Sequence, residues 1–219
     1  MGASAGMLSV GGLTHQIERL STGARQIVAL VGPPGAGKST MAEAIVDGLN
    51  AGSPGRAAVL AMDGYHFDDA VLRTRGRLAR KGAPDTFDVG GLAAMLLRLR
   101  QNTEDEIAVP VFDRGIEVSR AGAAFIPQTA QVVLVEGNYL LLDQAPWRGL
   151  AGLFDHSAII RVSEAELRRR LRARWQHHGL SEDAIVAKLE ENDLPNARFV
   201  YANSRAADSQ VDGALPLTA

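Results

Sequence analysis

The sequence predicts an α/β fold with a parallel sheet covered by helices on both faces. Three observations carry this. Short apolar runs rich in β-branched residues recur along the chain, amphipathic helical stretches separate them, and the first run breaks directly into glycines. Strands buried on both faces read as continuous apolar segments, and their alternation with helices implies parallel crossover units.

In chain order, Leu13 to Leu20 reads as a short helix with Leu13, Ile17 and Leu20 on one face. Gln26 to Val31 is the first strand. A helix with Met41, Ile45 and Leu49 at spacing four follows, and Asn50 to Gly55 is a turn cluster. Ala57 to Met62 is the second strand. Val89 to Arg100 is helical, and the irregular stretch from Pro110 to Pro127 is expected to hold a small hairpin. Gln131 to Val135 and Ser157 to Val162 are the third and fourth strands, and Arg198 to Ala202 is expected to be the fifth. Glu164 to Trp175 and Ser181 to Asn192 are helices, the first started by a capping box at Ser163 and Glu166.

With 219 residues, the chain suits one domain spanning 1–219. Its 46% hydrophobic and 22% charged content excludes wholesale disorder. The net charge of −2 argues against a protein that coats nucleic acid. There is no cysteine, hence no disulfide, thiolate metal site or cysteine nucleophile, and a reducing cytoplasmic setting is expected. No run approaches the roughly 20 apolar residues that span a bilayer, so no membrane partner is expected. Met1 to Gly12 lacks the cationic start of a secretory signal. Gly2 is followed by Gly6 where a myristoylation signal needs Ser or Thr.

The strongest motif is Gly32-Pro33-Pro34-Gly35-Ala36-Gly37-Lys38-Ser39, followed by Thr40. It fits G-x-x-x-x-G-K-[ST] between a strand and a helix. Glycines let successive N–H groups converge on phosphate oxygens, and the helix N-terminus favours the anion. Lys38 reaches the β- and γ-phosphates, and Ser39 offers a hydroxyl to Mg²⁺. The motif gives a nucleotide and Mg²⁺ but leaves the phosphoryl acceptor open.

Carboxylates at strand ends sit where open α/β sheets bind ligands. Glu136 closes the third strand and suits the metal shell. Asp63 closes the second; the residues alone leave a catalytic base and a turn aspartate before glycine equally open. His66, Asp68 and Asp69 read as a solvated loop rather than a metal site, and His177-His178 as a helix end. Arg168, Arg169, Arg170, Arg172 and Arg174 form a basic run. It is open to three readings: a solvated face, a nucleic-acid groove, or a lid supplying arginines to transferring phosphate. The phosphate loop favours the lid, placed at about 164–180.

Further blocks point the same way: Met62-Asp63-Gly64-Tyr65, Arg80-Lys-Gly-Ala-Pro-Asp-Thr-Phe87-Asp88, Pro110-Val-Phe112-Asp113 and Val135-Glu136-Gly137. With the loop and the arginine run, they resemble the uridine kinase, pantothenate kinase and phosphoribulokinase group of P-loop small-molecule kinases, over about Val28 to at least Arg174. The pattern including Glu191-Asn-Asp-Leu-Pro-Asn196-Ala is most similar to bacterial proteins labelled fructose-transport-system kinases or nucleoside/nucleotide kinase-like proteins, a label that is no evidence for fructose.

The resemblance implies a P-loop NTPase fold with strand order 2-3-1-4-5, MgATP as phosphate donor, and adenine near Asn203 to Ala207. It implies Asp63 as base and Arg169 as the lid arginine on phosphate, with Arg172 and Arg174 beside it. Tyr65, His66, Phe87, Asp88, Phe112, Arg114 and Glu117 join Asp63 around the acceptor, with a hairpin at about 109–127. It leaves a homodimer open. Where pantothenate kinases carry Tyr, His and Tyr in that hairpin, this chain has Phe112, Arg114 and Glu117, so pantothenate is not expected. Only Phe112 is aromatic there, so the pocket is expected to be polar, aromatic-poor and suited to a hydroxyl-rich acceptor. The expectation is a cytoplasmic kinase for a sugar, polyol or nucleoside. The alternatives are a regulatory P-loop ATPase without an acceptor and a nucleic-acid module built on the arginine helix.

Overall fold

The computed structural model describes residues 7–20 and 23–214. Gly2 and Gly6, and with them half of the Met1 to Gly12 segment, lie outside these residues. The elements are α1 (Val10–Arg19), β1 (Gln26–Val31), α2 (Lys38–Asn50), β2 (Ala57–Ala61), α3 (Asp69–Thr74), α4 (Val89–Gln101), β3 (Glu106–Asp113), β4 (Val118–Pro127), β5 (Val132–Gly137), β6 (His156–Arg161), α5 (Glu164–His177), α6 (Glu182–Lys188), α7 (Leu194–Asn203) and β7 (Ser209–Asp212).

The main sheet has five strands in the order β2-β5-β1-β6-β7, all parallel. Counted along the chain within this sheet, that is 2-3-1-4-5. β1 is central and buried along its whole length. Ile27, Ala29 and Val31 face one core with α4, the β3–β4 hairpin and Trp147; Val28 and Leu30 face the other with α1, α2 and α5. This two-sided burial is why the strand sequence is an unbroken apolar run.

The fifth strand is not where the sequence pointed. Arg198 to Ala202 lies inside α7, and Ser209–Asp212 pairs with β6 instead. α6 runs through a π-helical turn, Leu189–Asp193, straight into α7, so the aromatic and β-branched residues of Arg198 to Ala202 are carried by a continuing helix. α1 starts earlier than expected because the Ser9 hydroxyl caps it, accepting from Gly12 N–H at 3.1 Å. Ser163 caps α5 by accepting from Glu166 N–H at 3.3 Å, while the Glu166 carboxylate turns to arginines rather than closing the box.

The hairpin is longer than the sequence suggested and forms its own antiparallel two-stranded sheet. It comes very close to the turn after β2: a Cβ on Gly64 would lie 2.5 Å from the Pro110 carbonyl oxygen. Only glycine permits this approach, which seats the hairpin beside Asp63.

Arg25, buried at the start of β1, ties these parts together. Its guanidinium donates to the carbonyls of Ala130 and Pro127 at 2.7 Å each and Leu99 at 3.1 Å. Arg25→Ala leaves these carbonyls without their donor and opens a void, so a loss of about 2–4 kcal/mol is expected in denaturant unfolding. A loss below about 1 kcal/mol would mean that water replaces the arginine.

Candidate functional site

The loop between β1 and α2 bends through left-handed glycines, Gly35 at φ 78° and Gly37 at φ 87°. Gly37 caps α2 without a side-chain hydrogen bond, leaving first-turn N–H groups for an anion. A Cβ on Gly35 would meet Leu171 at 2.8 Å, so the arginine helix α5 packs directly on the loop. Lys38 Nζ donates to the Pro33 carbonyl at 3.3 Å. Burial pushes its pKa down, and the nearby carboxylates of Glu136 and Asp63 oppose this.

Ser39 Oγ donates to Glu136 Oε1 at 3.0 Å. Glu136 is buried, and burial pushes its carboxyl pKa up against the pull of Lys38. A hydroxyl beside a carboxylate at a phosphate-binding helix start fits Mg²⁺, which takes one or two protein oxygens and completes its shell with phosphate and water. Among the described residues no group of three His, Cys, Asp or Glu could hold a metal. His66 Nδ1 meets the Asp63 carbonyl at 2.8 Å, Asp68 caps α3 through Ala70 N–H at 2.7 Å, and Asp69 accepts from Lys81 at 2.6 Å.

Asp63 lies in a 3-10 turn, Met62–Tyr65, immediately after β2. β2 runs beside β5, with Ala61 opposite Glu136, so both acids emerge at the same sheet end. Arg114, from the hairpin, donates to Asp63 Oδ2 at 2.8 Å. The loop, Asp63, the hairpin tip and the arginine helix enclose one cavity of about 740 Å³.

His66, Phe87, Phe112, Arg114 and Glu117 all line this cavity. The aromatic-poor expectation is corrected. His66 stands 4.0 Å from Phe87 and 4.7 Å from Phe112, ring centroid to centroid, forming a three-ring wall. Phe87 reaches it through an isolated antiparallel bridge to His66. Lys81 lies 5.3 Å from the Phe112 centroid and donates to the Glu117 carbonyl.

Two expected acceptor residues do not line the cavity. Asp88 caps α4, its carboxylate accepting from Gly91 N–H at 2.8 Å. Tyr65 is buried with its hydroxyl unpartnered, and burial raises its pKa. Arg169 is 70% exposed and bonds Glu166 at 2.7 Å, and Arg172 pairs with Glu182; neither faces the cleft. Arg174, named from the sequence, lines it, and so does Arg170, four positions before it on the same side of α5. The Glu166 carboxyl, between Arg169 and Arg170, is held down to about 2 by their hydrogen bonds. The 203–207 segment leads into β7 and does not line the cavity; Arg205 N–H bonds the Leu141 carbonyl at 2.9 Å.

The sequence reading missed Lys81, Asn138, Trp175, Lys188, Asp193 and Asn196 as cavity residues. Lys81 stood inside a quoted block, and Asp193 and Asn196 in another. Nothing in the sequence signalled the π-helical turn that brings Asp193 round to the cleft.

A family model described as "Phosphoribulokinase / Uridine kinase family" matches residues 27–213. The chain is 36% identical over 205 residues to "Uncharacterized protein YggC" of Escherichia coli, covering 91% of this chain and 84% of that protein. It is 28% identical over 199 residues to "Putative uridine kinase C227.14" of Schizosaccharomyces pombe, covering 88% and 85%. Among solved structures, a "putative fructose transport system kinase" from Silicibacter sp. TM1040 superposes with a TM-score of 0.86 at 40% identity, covering 93% of this chain and 98% of that one.

Proposed function

The chain belongs to the phosphoribulokinase/uridine kinase family, a family of small-molecule kinases, and on that premise we propose that it transfers the γ-phosphoryl group of MgATP to a hydroxyl of a sugar, polyol or nucleoside. The observation that carries this reading is the shared cavity: phosphate loop and Asp63 open into one space.

The loop amides and Lys38 hold the phosphates. Ser39 and Glu136 would hold Mg²⁺, which when bound neutralises phosphate charge. Asp63 receives the hydrogen of the acceptor hydroxyl on its free Oδ1, while Arg114 fixes the carboxylate through Oδ2. Arg170 and Arg174, rather than Arg169 and Arg172, face the transferring group. Catalysis rests on positioning and charge stabilisation.

The acceptor wall supports the substrate class. Asn138, Asn192 and Asn196 line the cleft and offer partners for hydroxyl groups. The Phe87, His66 and Phe112 rings offer a face to a sugar ring or a base. Membership of a small-molecule kinase family favours a small acceptor over the nucleic-acid alternative. A cytoplasmic setting is part of this proposal; among the described residues no helix is long and apolar enough to cross a membrane.

The test is ADP release from MgATP across nucleosides, ketoses, polyols and pantothenate. One acceptor class is expected to accelerate release strongly, and Lys38→Ala to abolish that response. ADP release indifferent to every acceptor would favour the regulatory ATPase.

A further inference from the structure

Four of the five arginines on α5 are held by carboxylates. Arg168 meets Glu164 and Glu190, Arg169 and Arg170 share Glu166, and Arg172 meets Glu182. Arg174 meets no carboxylate at ion-pair distance among the described residues. Its guanidinium carbon lies 5.1 Å from the centroid of the Trp175 ring. Lys188 of α6 is similar: its Nζ lies 4.4 Å from the same ring, and it too forms no ion pair among the described residues. Both cations line the cleft.

The ring is itself anchored. Trp175 Nε1–H donates to Asp193 Oδ2 at 2.7 Å. Asp193 is 5% exposed and ends the π-helical turn Leu189–Asp193. Such turns re-aim the side chains around them and recur at functional sites. An aromatic face attracts a cation without cancelling its charge, whereas a carboxylate neutralises it. The Asp193 carboxylate acts on both cations through space, but neither bonds it, so the ring holds them in place and leaves their donors available to an incoming anion. Arg174 and Lys38 line the same cavity, and the Arg174 charge helps lower the lysine's pKa.

We propose that Trp175, anchored by Asp193, is a positioning residue that holds Arg174 and Lys188 toward the cleft, free of carboxylate ion pairs, for the terminal phosphoryl group of the nucleotide. This rests on the nucleotide-binding part of the function proposed above. Trp175 and Asp193 act through the two cations.

Calorimetric titration of the full chain with MgATP and with MgADP tests this without an acceptor. Wild type is expected to bind MgATP more tightly than MgADP. Trp175→Leu is expected to weaken MgATP about tenfold and MgADP less than about twofold. Trp175→Phe, which keeps a ring but loses the anchor, should fall between wild type and Trp175→Leu. Asp193→Asn keeps an acceptor for the indole N–H and should stay closer to wild type than Asp193→Leu. Equal losses for both nucleotides, or unchanged MgATP affinity in Trp175→Leu, would overturn the proposal. If Trp175→Leu fails to fold by circular dichroism, Trp175→Phe decides on the same criterion. A wild-type chain that binds neither nucleotide would sink the proposed function as well, whereas a failed acceptor screen beside the expected nucleotide pattern would sink the acceptor assignment alone.

Discussion

Asp63→Asn is expected to lower kcat by about 10²- to 10⁴-fold, the range for losing a positioned proton acceptor, with MgATP affinity held within about threefold. The two effects separate because Asp63 bonds Arg114, His66 and Ser119 and makes no hydrogen bond to the phosphate loop. The contacts to His66 and Ser119 run through the Asp63 carbonyl and survive the substitution. Asparagine also keeps an oxygen for Arg114, so the hairpin stays seated. The measurement is kcat with the acceptor found in the screen, alongside MgATP titration. Unchanged turnover would remove Asp63 from the role of base.

Lys38→Ala should remove the transfer reaction almost entirely, lowering kcat/KM by about 10²- to 10⁴-fold. Its only side-chain hydrogen bond within the described residues is the 3.3 Å contact to Pro33, so melting should shift little. A pH effect accompanies the loss. Burial pushes the Glu136 pKa up and Lys38 pulls it down. Without Lys38 the carboxyl rises further, and it must be ionised to hold Mg²⁺. Residual activity should therefore fall off on acidification at a higher pH than in wild type. A pH–rate profile with the same acid limb in both proteins would show that Lys38 and Glu136 do not share a field.

The parallel sheet and the phosphate loop were legible because their signals are local. Gln26–Val31 is buried on both faces and reads as such, and the loop glycines stand where a left-handed bend is needed. The edge strand was not legible: Ser209–Asp212 is four residues long with alternating burial, and it carries one apolar side chain, Val211. Of the two α5 arginines that line the cleft, Arg174 was named beside the phosphate from the sequence and Arg170 was not. Glu166, placed three and four residues before Arg169 and Arg170, takes both, and Leu171 packs on the loop to set the rotation of α5. His66, Phe87 and Phe112 were each named around the acceptor, but that they stack into one wall was not legible because the three rings come from three separate segments. Asp88 caps α4 and does not line the cavity, a distinction the sequence does not carry because helix capping and ligand binding call for the same side chain.

The hairpin that carries Phe112, Arg114 and Glu117 shares no backbone ladder with the central sheet. It leans on that sheet through close packing at Gly64 and the Arg114 bond to Asp63. Its outward residues can therefore be rewritten over evolutionary time, or by a protein engineer, without disturbing the grip on the donor. On the function proposed above, the acceptor contacts of the hairpin and the donor contacts of the phosphate loop thus sit on separate backbone units.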